Sequence, residues 1–169
     1  MVVEASRLCF GVTSLEKEGS LVVHVGDALL RSSTIEGGFS SIMVDLYGDG
    51  VLLQQLLHVE AWQSIHHRLR GGIGGRVMAN LGMSPRPIDG WPVHEDSVNT
   101  IKALSCMLEV FDDEVNVLHI RNMDGPRTMN VLALTGPLEG LQEAWVEGLP
   151  IALRHLAADY RWERWESNS

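Results

Sequence analysis

Between Ser40 and Leu81 the chain spells out a strand, a helix and a second strand in succession, and that order restricts the fold more than any other feature. Ser40-Ser41-Ile42-Met43-Val44-Asp45-Leu46 is an apolar run that closes on an acid, and Tyr47-Gly48-Asp49-Gly50 turns the chain. From Leu52 to Leu69, Leu53, Leu56, Leu57, Ala61, Ile65 and Leu69 recur at helical spacing, with His58, Gln63, His66, His67 and Arg68 mostly elsewhere. Gly75-Arg76-Val77-Met78-Ala79-Asn80-Leu81 is the second β-rich run. A near-continuous apolar strand suits burial on both faces, so the unit reads as part of a parallel α/β sheet. Ligands of such sheets collect beyond the carboxyl ends of the strands, where Asp45 and Asn80 stand.

The 169 residues, 45% of them apolar, are enough for one domain with a real core. The expected organisation is a single domain over residues 1–158 and a polar C-terminal tail over 159–169. A net charge of −9, with only 13 Lys and Arg scattered along the chain, argues against a nucleic-acid partner. No apolar run approaches the roughly 20 residues that cross a bilayer, and no basic region precedes an apolar one at the N-terminus. The reading is therefore a protein without membrane span or signal peptide, expected in the cytoplasm. Cys9 and Cys106 lie far apart in helical surroundings and suggest neither a disulfide framework nor a zinc site.

Elsewhere, Val2 to Phe10 has helical spacing and stops at Gly11, and Leu21-Val22-Val23-His24-Val25 reads as a strand. Gly26-Asp27-Ala28 then turns into a short helical piece. Pro85, Pro87, Gly90 and Pro92 mark a loop, and His94 to Val110 reads as an amphipathic helix. Glu114 to Arg121 and Thr128 to Thr135, with Gly125-Pro126 between them, predict an antiparallel hairpin at a sheet edge. A last helical region spans Leu138 to Ala158, and Trp162 and Trp165 are spaced to share a helix face as a packing stripe.

This order of pieces resembles the later two thirds of the spermidine synthase-like group within the S-adenosylmethionine-dependent methyltransferase superfamily. The resemblance rests on Val2-Val3-Glu4-Ala5-Ser6-Arg7-Leu8-Cys9-Phe10-Gly11, Val23-His24-Val25-Gly26-Asp27-Ala28, Ile42-Met43-Val44-Asp45-Leu46 and Gly74-Gly75-Arg76-Val77-Met78-Ala79-Asn80-Leu81, and covers residues 2 to about 136. It implies a Rossmann-like methyltransferase fold, a mostly parallel sheet with a C-terminal antiparallel hairpin, lacking the first strand or strands. The family's glycine-rich turn and the acid that takes the ribose hydroxyls are not found here, and Glu4 lies inside its helix rather than before it. A truncated form of the domain is therefore the expectation.

The resemblance also implies roles. Gly26, Asp27 and Ala28 look like the turn on the adenine side of S-adenosylmethionine or its decarboxylated form, with the Asp27 carboxylate accepting from the exocyclic amine. An acid there is equally an N-cap, and both roles are compatible. Asp45 is the candidate base that takes a proton from the attacking amine. Tyr47 and Asp49 stand where the family continues Ser-Ser-Asp-Pro, so they are the residues expected to meet the acceptor substrate. The alternative for Asp49 is a solvated Gly-Asp-Gly turn.

Other patterns point away from chemistry. Gly71-Gly72-Ile73-Gly74-Gly75 follows a helix and enters a strand, the reverse of a phosphate loop. His58, His66 and His67 share a helix without a His-Glu-x-x-His pattern, so no metal is expected, and no Gly-x-Ser-x-Gly elbow marks a nucleophile. Three readings follow. One is an aminopropyl- or methyltransferase with a small nucleoside ligand. Another is a catalytically silent relative acting as a homodimer partner or regulator. The third, most consistent with the motifs, is a partial transferase domain.

Overall fold

The computed structural model describes residues 2–30, 34–71, 75–85, 95, 97–112, 114–121, 129–157 and 160–166. They fall into two compact units, Met1–Leu30 and Arg31–Ser169. In the first, helices α1 (Val2–Cys9) and α2 (Val12–Lys17) bury no residue of either helix. A forked ion pair joins them, Arg7 Nε to Glu16 Oε2 at 2.8 Å and Arg7 Nη2 to Glu16 Oε1 at 2.7 Å, and Thr13 Oγ1 donates to the Arg7 carbonyl at 3.2 Å. The hydrogen bond from Arg7 holds the Glu16 carboxyl below its ordinary range.

Leu21–Val25, expected as a strand, has no regular secondary structure and joins no ladder among the described residues. Its β-branched side chains favour the extended backbone, yet a strand needs a neighbour's N–H and C=O groups, and Val22 and Val25 are 70% and 86% exposed. Nor does a helix follow it. The Leu29 N–H donates to Asp27 Oδ1 at 2.9 Å and the Leu30 N–H to the Asp27 carbonyl at 3.2 Å, a single side-chain-capped turn.

The second unit is built on a five-stranded sheet of order β1-β4-β6-β5-β7. Its strands are β1 (Ser41–Val44), β4 (Arg76–Met83), β5 (Val115–Arg121), β6 (Met129–Thr135) and β7 (Glu163–Arg164). A two-stranded ribbon, β2 (Tyr47–Gly48) and β3 (Val51–Leu52), follows β1. β1 and β4 are parallel, with Ser41 opposite Arg76 and Val44 opposite Ala79. The hairpin of β5 and β6 runs antiparallel from Val115 opposite Thr135 to Arg121 opposite Met129, as the alternation of the sequence requires. The architecture is mixed α/β and Rossmann-like, with the antiparallel hairpin on the C-terminal side.

Burial along β4 alternates: Val77, Ala79 and Leu81 are buried at 1% exposure or less, while Met78 and Asn80 are half-buried. Met43 on β1 is 75% exposed, so the two-faced burial expected of the Ser40–Leu46 run is not complete. The core joins these strands to α3 (Val59–His66) and α4 (Ser97–Val110) through Leu56, Trp62, Ile65, Leu104 and Met107.

The expected crossover helix over Leu52–Leu69 is interrupted. Leu53 (ψ 132) and His58 (ψ 139) are extended, leaving a 3-10 turn at Gln54–Leu57 before α3. A tertiary bond accompanies this break, because the fully buried Trp62 indole donates to the Leu56 carbonyl at 2.8 Å. The last helical region also divides, into α5 (Leu141–Gly148) and α6 (Ile151–Ala157). Pro150 drives Leu149 to an extended ψ of 146, and Arg154 donates to the Glu147 and Leu149 carbonyls that the break releases.

The Trp-rich segment is not helical. β7 pairs with Val117 and Asn116 of β5, and Trp162, 8% exposed, meets Trp145 edge-on with ring centroids 6.4 Å apart. The Gly72–Gly74 part of the glycine run, most of the Pro-rich loop and the Gly125-Pro126 turn lie outside the described residues. Among the described residues, no helix is long and apolar enough to cross a membrane.

Replacing Trp62 with Phe leaves the buried Leu56 carbonyl without its donor and removes ring volume, so a loss of about 1–3 kcal/mol is expected. Urea unfolding followed by circular dichroism checks it, as a lower midpoint at unchanged slope.

Candidate functional site

The parallel register that sets Val44 beside Ala79 brings the next residues of both strands together at their carboxyl ends. The Asn80 Nδ2 donates to Asp45 Oδ1 at 3.2 Å. Asn80 Oδ1 accepts from the Tyr47 hydroxyl at 3.2 Å and from the Gly82 N–H at 3.3 Å, and the same hydroxyl lies 3.2 Å from the Asn80 carbonyl. One carboxamide is thus oriented by donors on its oxygen and an acceptor on its nitrogen.

The backbone of β4 is shaped for this. Its pairing with β6 shifts register between Asn80 and Gly82, a bulge that departs from the regular ladder. Gly82 has φ +82, and a Cβ there would lie 3.1 Å from the Tyr47 hydroxyl oxygen. The positive φ favours glycine there, and a Cβ would crowd the Tyr47 hydroxyl as well.

Tyr47 is held over Asn80 by the β2–β3 ribbon. Asp49 (φ 52) and Gly50 (φ 81) form its two-residue turn, the left-handed pair that a tight hairpin demands and that Asp-Gly supplies. Desolvation, with the Asp45 carboxylate second, pushes the Tyr47 hydroxyl up to about 12. It therefore remains a hydrogen-bond donor at neutral pH.

Beside this network lies a cleft of about 200 Å³. Tyr47, Asn80, Asn99 and Asn130 give it polar lining, and Leu52 and Met83 are among its apolar walls. Asp45 stands exposed beside it through Asn80.

Of the residues singled out from sequence, Asp45 and Tyr47 meet at Asn80. Asp49 sits at the exposed hairpin tip and does not line the cleft. Gly26, Asp27 and Ala28 belong to the first unit, where Asp27 caps its own turn. The sequence marks Asn80 only as a strand end and gives Asn99 and Asn130 no distinguishing pattern. A glycine inside a strand pattern was the available signal for Gly82.

Another cluster forms away from the cleft. Ser84 Oγ is 3.1 Å from His119 Nδ1, and His119 Nε2 is 3.2 Å from Glu163 Oε1, the latter contact an ion-pair distance rather than an aligned hydrogen bond. Ser84 is 8% exposed and lines no part of the cleft, so the trio reads as a clasp between the end of β4, β5 and β7. Among the described residues no group of His, Cys, Asp and Glu is arranged to hold a metal ion. His66 instead packs edge-on against Phe111, and His67 Nδ1 lies 2.7 Å from the Gln63 carbonyl. Cys9 is exposed, while Cys106 is buried, which raises its thiol pKa.

No family model matches the chain, and no curated protein does. Among solved structures, a probable spermidine synthase from Corynebacterium glutamicum superposes with a TM-score of 0.52 at 19% identity, covering 94% of this chain. The fold is spermidine synthase-like. The matched region spans 62% of that neighbour's length, and at this identity the likeness is one of fold.

The Tyr47 environment is open to titration. Because folding raises its pKa, the protonated phenol contributes stability below pH about 10 and loses that contribution as pH rises towards 12. The absorbance difference at 295 nm between the protein and its Tyr47→Phe variant is expected to titrate near pH 12. A midpoint near 10 would contradict the network.

Proposed function

We propose that this chain carries the acceptor side of a transferase domain that moves an aminopropyl or methyl group from decarboxylated or intact S-adenosylmethionine to an amine. The observation that supports it is Asp45, fixed by Asn80 at the carboxyl end of a parallel strand and beside a cleft.

A protonated amine has no lone pair to attack with, so a base must first accept its proton. Asp45 Oδ2 can take that proton while Oδ1 remains bonded to Asn80. The amine lone pair then forms the new N–C bond as the C–S bond breaks and its electrons pass to sulfur. The bound sulfonium supplies the electrophilic carbon. Tyr47 stays protonated and keeps Asn80, and through it Asp45, in one orientation.

For the nucleoside, the Gly26-Asp27-Ala28 turn is a fair fit. Asp27 Oδ1 is taken by the Leu29 N–H, and its second oxygen can accept from an exocyclic amine. A complete donor site also needs groups for the ribose and the amino-acid end, and the glycine-rich turn and ribose acid that would supply them are not found in this sequence. The 169 residues are thus expected to show no micromolar heat when titrated with either nucleoside, and tight binding would refute the reading that these groups are lacking.

In any form of the protein that binds the nucleoside, Asp45→Asn is expected to cut transfer by about 100- to 10,000-fold while leaving nucleoside affinity nearly intact. Asp27→Asn should weaken nucleoside binding first. Radiolabelled group transfer and calorimetry on the same preparations separate the two effects. Full transfer with Asn at position 45 would remove Asp45 as the base, and no transfer by the native protein would favour the silent relative.

A further inference from the structure

The polar walls of the cleft at the end of β4 share one kind of chemistry. Asn80 from β4, Asn99 from α4 and Asn130 from β6 line it from three separate elements, with the Tyr47 hydroxyl from β2 as the other polar side chain. Asn80 is oriented by Tyr47, Gly82 and Asp45. The carboxamides of Asn99 and Asn130 make no hydrogen bond to another described residue. Both residues line the cleft, one from a helix and one from a strand, and each carries a carboxamide with donors and an acceptor.

A carboxamide presents two N–H donors beside a carbonyl acceptor, and it cannot neutralise a charge. Its best partner is a group with the same pairing of donor and acceptor. Bringing an ammonium group against such walls costs hydration that neutral amides repay only in part. Leu52, Leu81 and Met83 add apolar surface against which a flat group can lie. A volume of about 200 Å³, at about 30 Å³ per water, holds on the order of seven waters, the size of a small ring or amide.

We infer that this cleft is the acceptor subsite, and that it holds the acceptor by an uncharged group in which donor and acceptor stand side by side, a carboxamide or the amide-like edge of a nitrogen heterocycle. Its role as the acceptor subsite rests on the transfer reaction proposed above. The reacting amine itself is placed at the rim, towards Asp45, and the rest of the acceptor is read by the three asparagines. A simple polyamine offers these walls nothing to read.

The test uses protein labelled with 15N at asparagine, titrated with nicotinamide as the probe amide and 1,4-diaminobutane as the probe polyamine. Nicotinamide is expected to shift the side-chain signals of Asn80, Asn99 and Asn130 together, saturating with a Kd on the order of 1 mM. The signal of Asn116, whose amide is committed to the Leu134 and Gly136 carbonyls, should stay in place and serve as the control for the fold. Asn99→Leu and Asn130→Leu should each raise the Kd about tenfold, the effect of one lost hydrogen bond. Signals unmoved by nicotinamide, or moved by diaminobutane at lower concentration, would overturn the inference. Nicotinamide binding in a native protein that transfers nothing would sink the transferase reading and leave the ligand class standing. Transfer to a diamine without any response to nicotinamide would do the reverse.

Discussion

The site depends on the parallel pairing of β1 with β4. Two strands joined by an antiparallel turn would carry their carboxyl ends to opposite edges of the sheet. A parallel pair in the register Val44 to Ala79 delivers both ends to one edge, and Asp45 then meets Asn80 by geometry alone. The crossover that makes this possible passes through the 3-10 turn and α3, whose Trp62, Leu56 and Ile65 are part of the core beneath the strands. Core packing and site geometry thus draw on the same two strands and the crossover between them.

Much of this was legible because it follows from alternation and strand ends. The β5–β6 hairpin was written in the alternating pattern from Val115 to Thr135, and Asp45 and Asn80 were marked by standing where apolar runs stop. Other parts were legible but read otherwise. Asp49-Gly50 carries the signature of a two-residue hairpin, which outweighs the substrate-binding role that its place after the strand suggests. Pro150 announced the break between α5 and α6, though the helical periodicity on either side ran through it.

The remainder was decided by tertiary partners that no local pattern contains. Leu21–Val25 has the composition of a strand and finds no ladder among the described residues. Leu52–Leu69 has the spacing of one helix and divides into a 3-10 turn and a shorter helix, with the Leu56 carbonyl serving the Trp62 indole. Trp162 and Trp165 suit a helical stripe, while the segment between them pairs with β5. Asn99 and Asn130 are about thirty positions apart on unrelated elements, and only the folded sheet sets them at one cleft.

The Asp49–Gly50 turn has a bearing on how this protein can vary in length. Surface loops ordinarily accept insertions and deletions, and the segment after a strand is where such changes accumulate. Here the connection is two residues long and Tyr47 faces Leu52 directly, so one added residue must either bulge the ribbon or slip its register. A slip would turn the Tyr47 ring to the other face, away from Asn80. Relatives that differ in length at this hairpin should therefore have lost the tyrosine–asparagine pair altogether, and those that keep the pair should keep the spacing between positions 47 and 52.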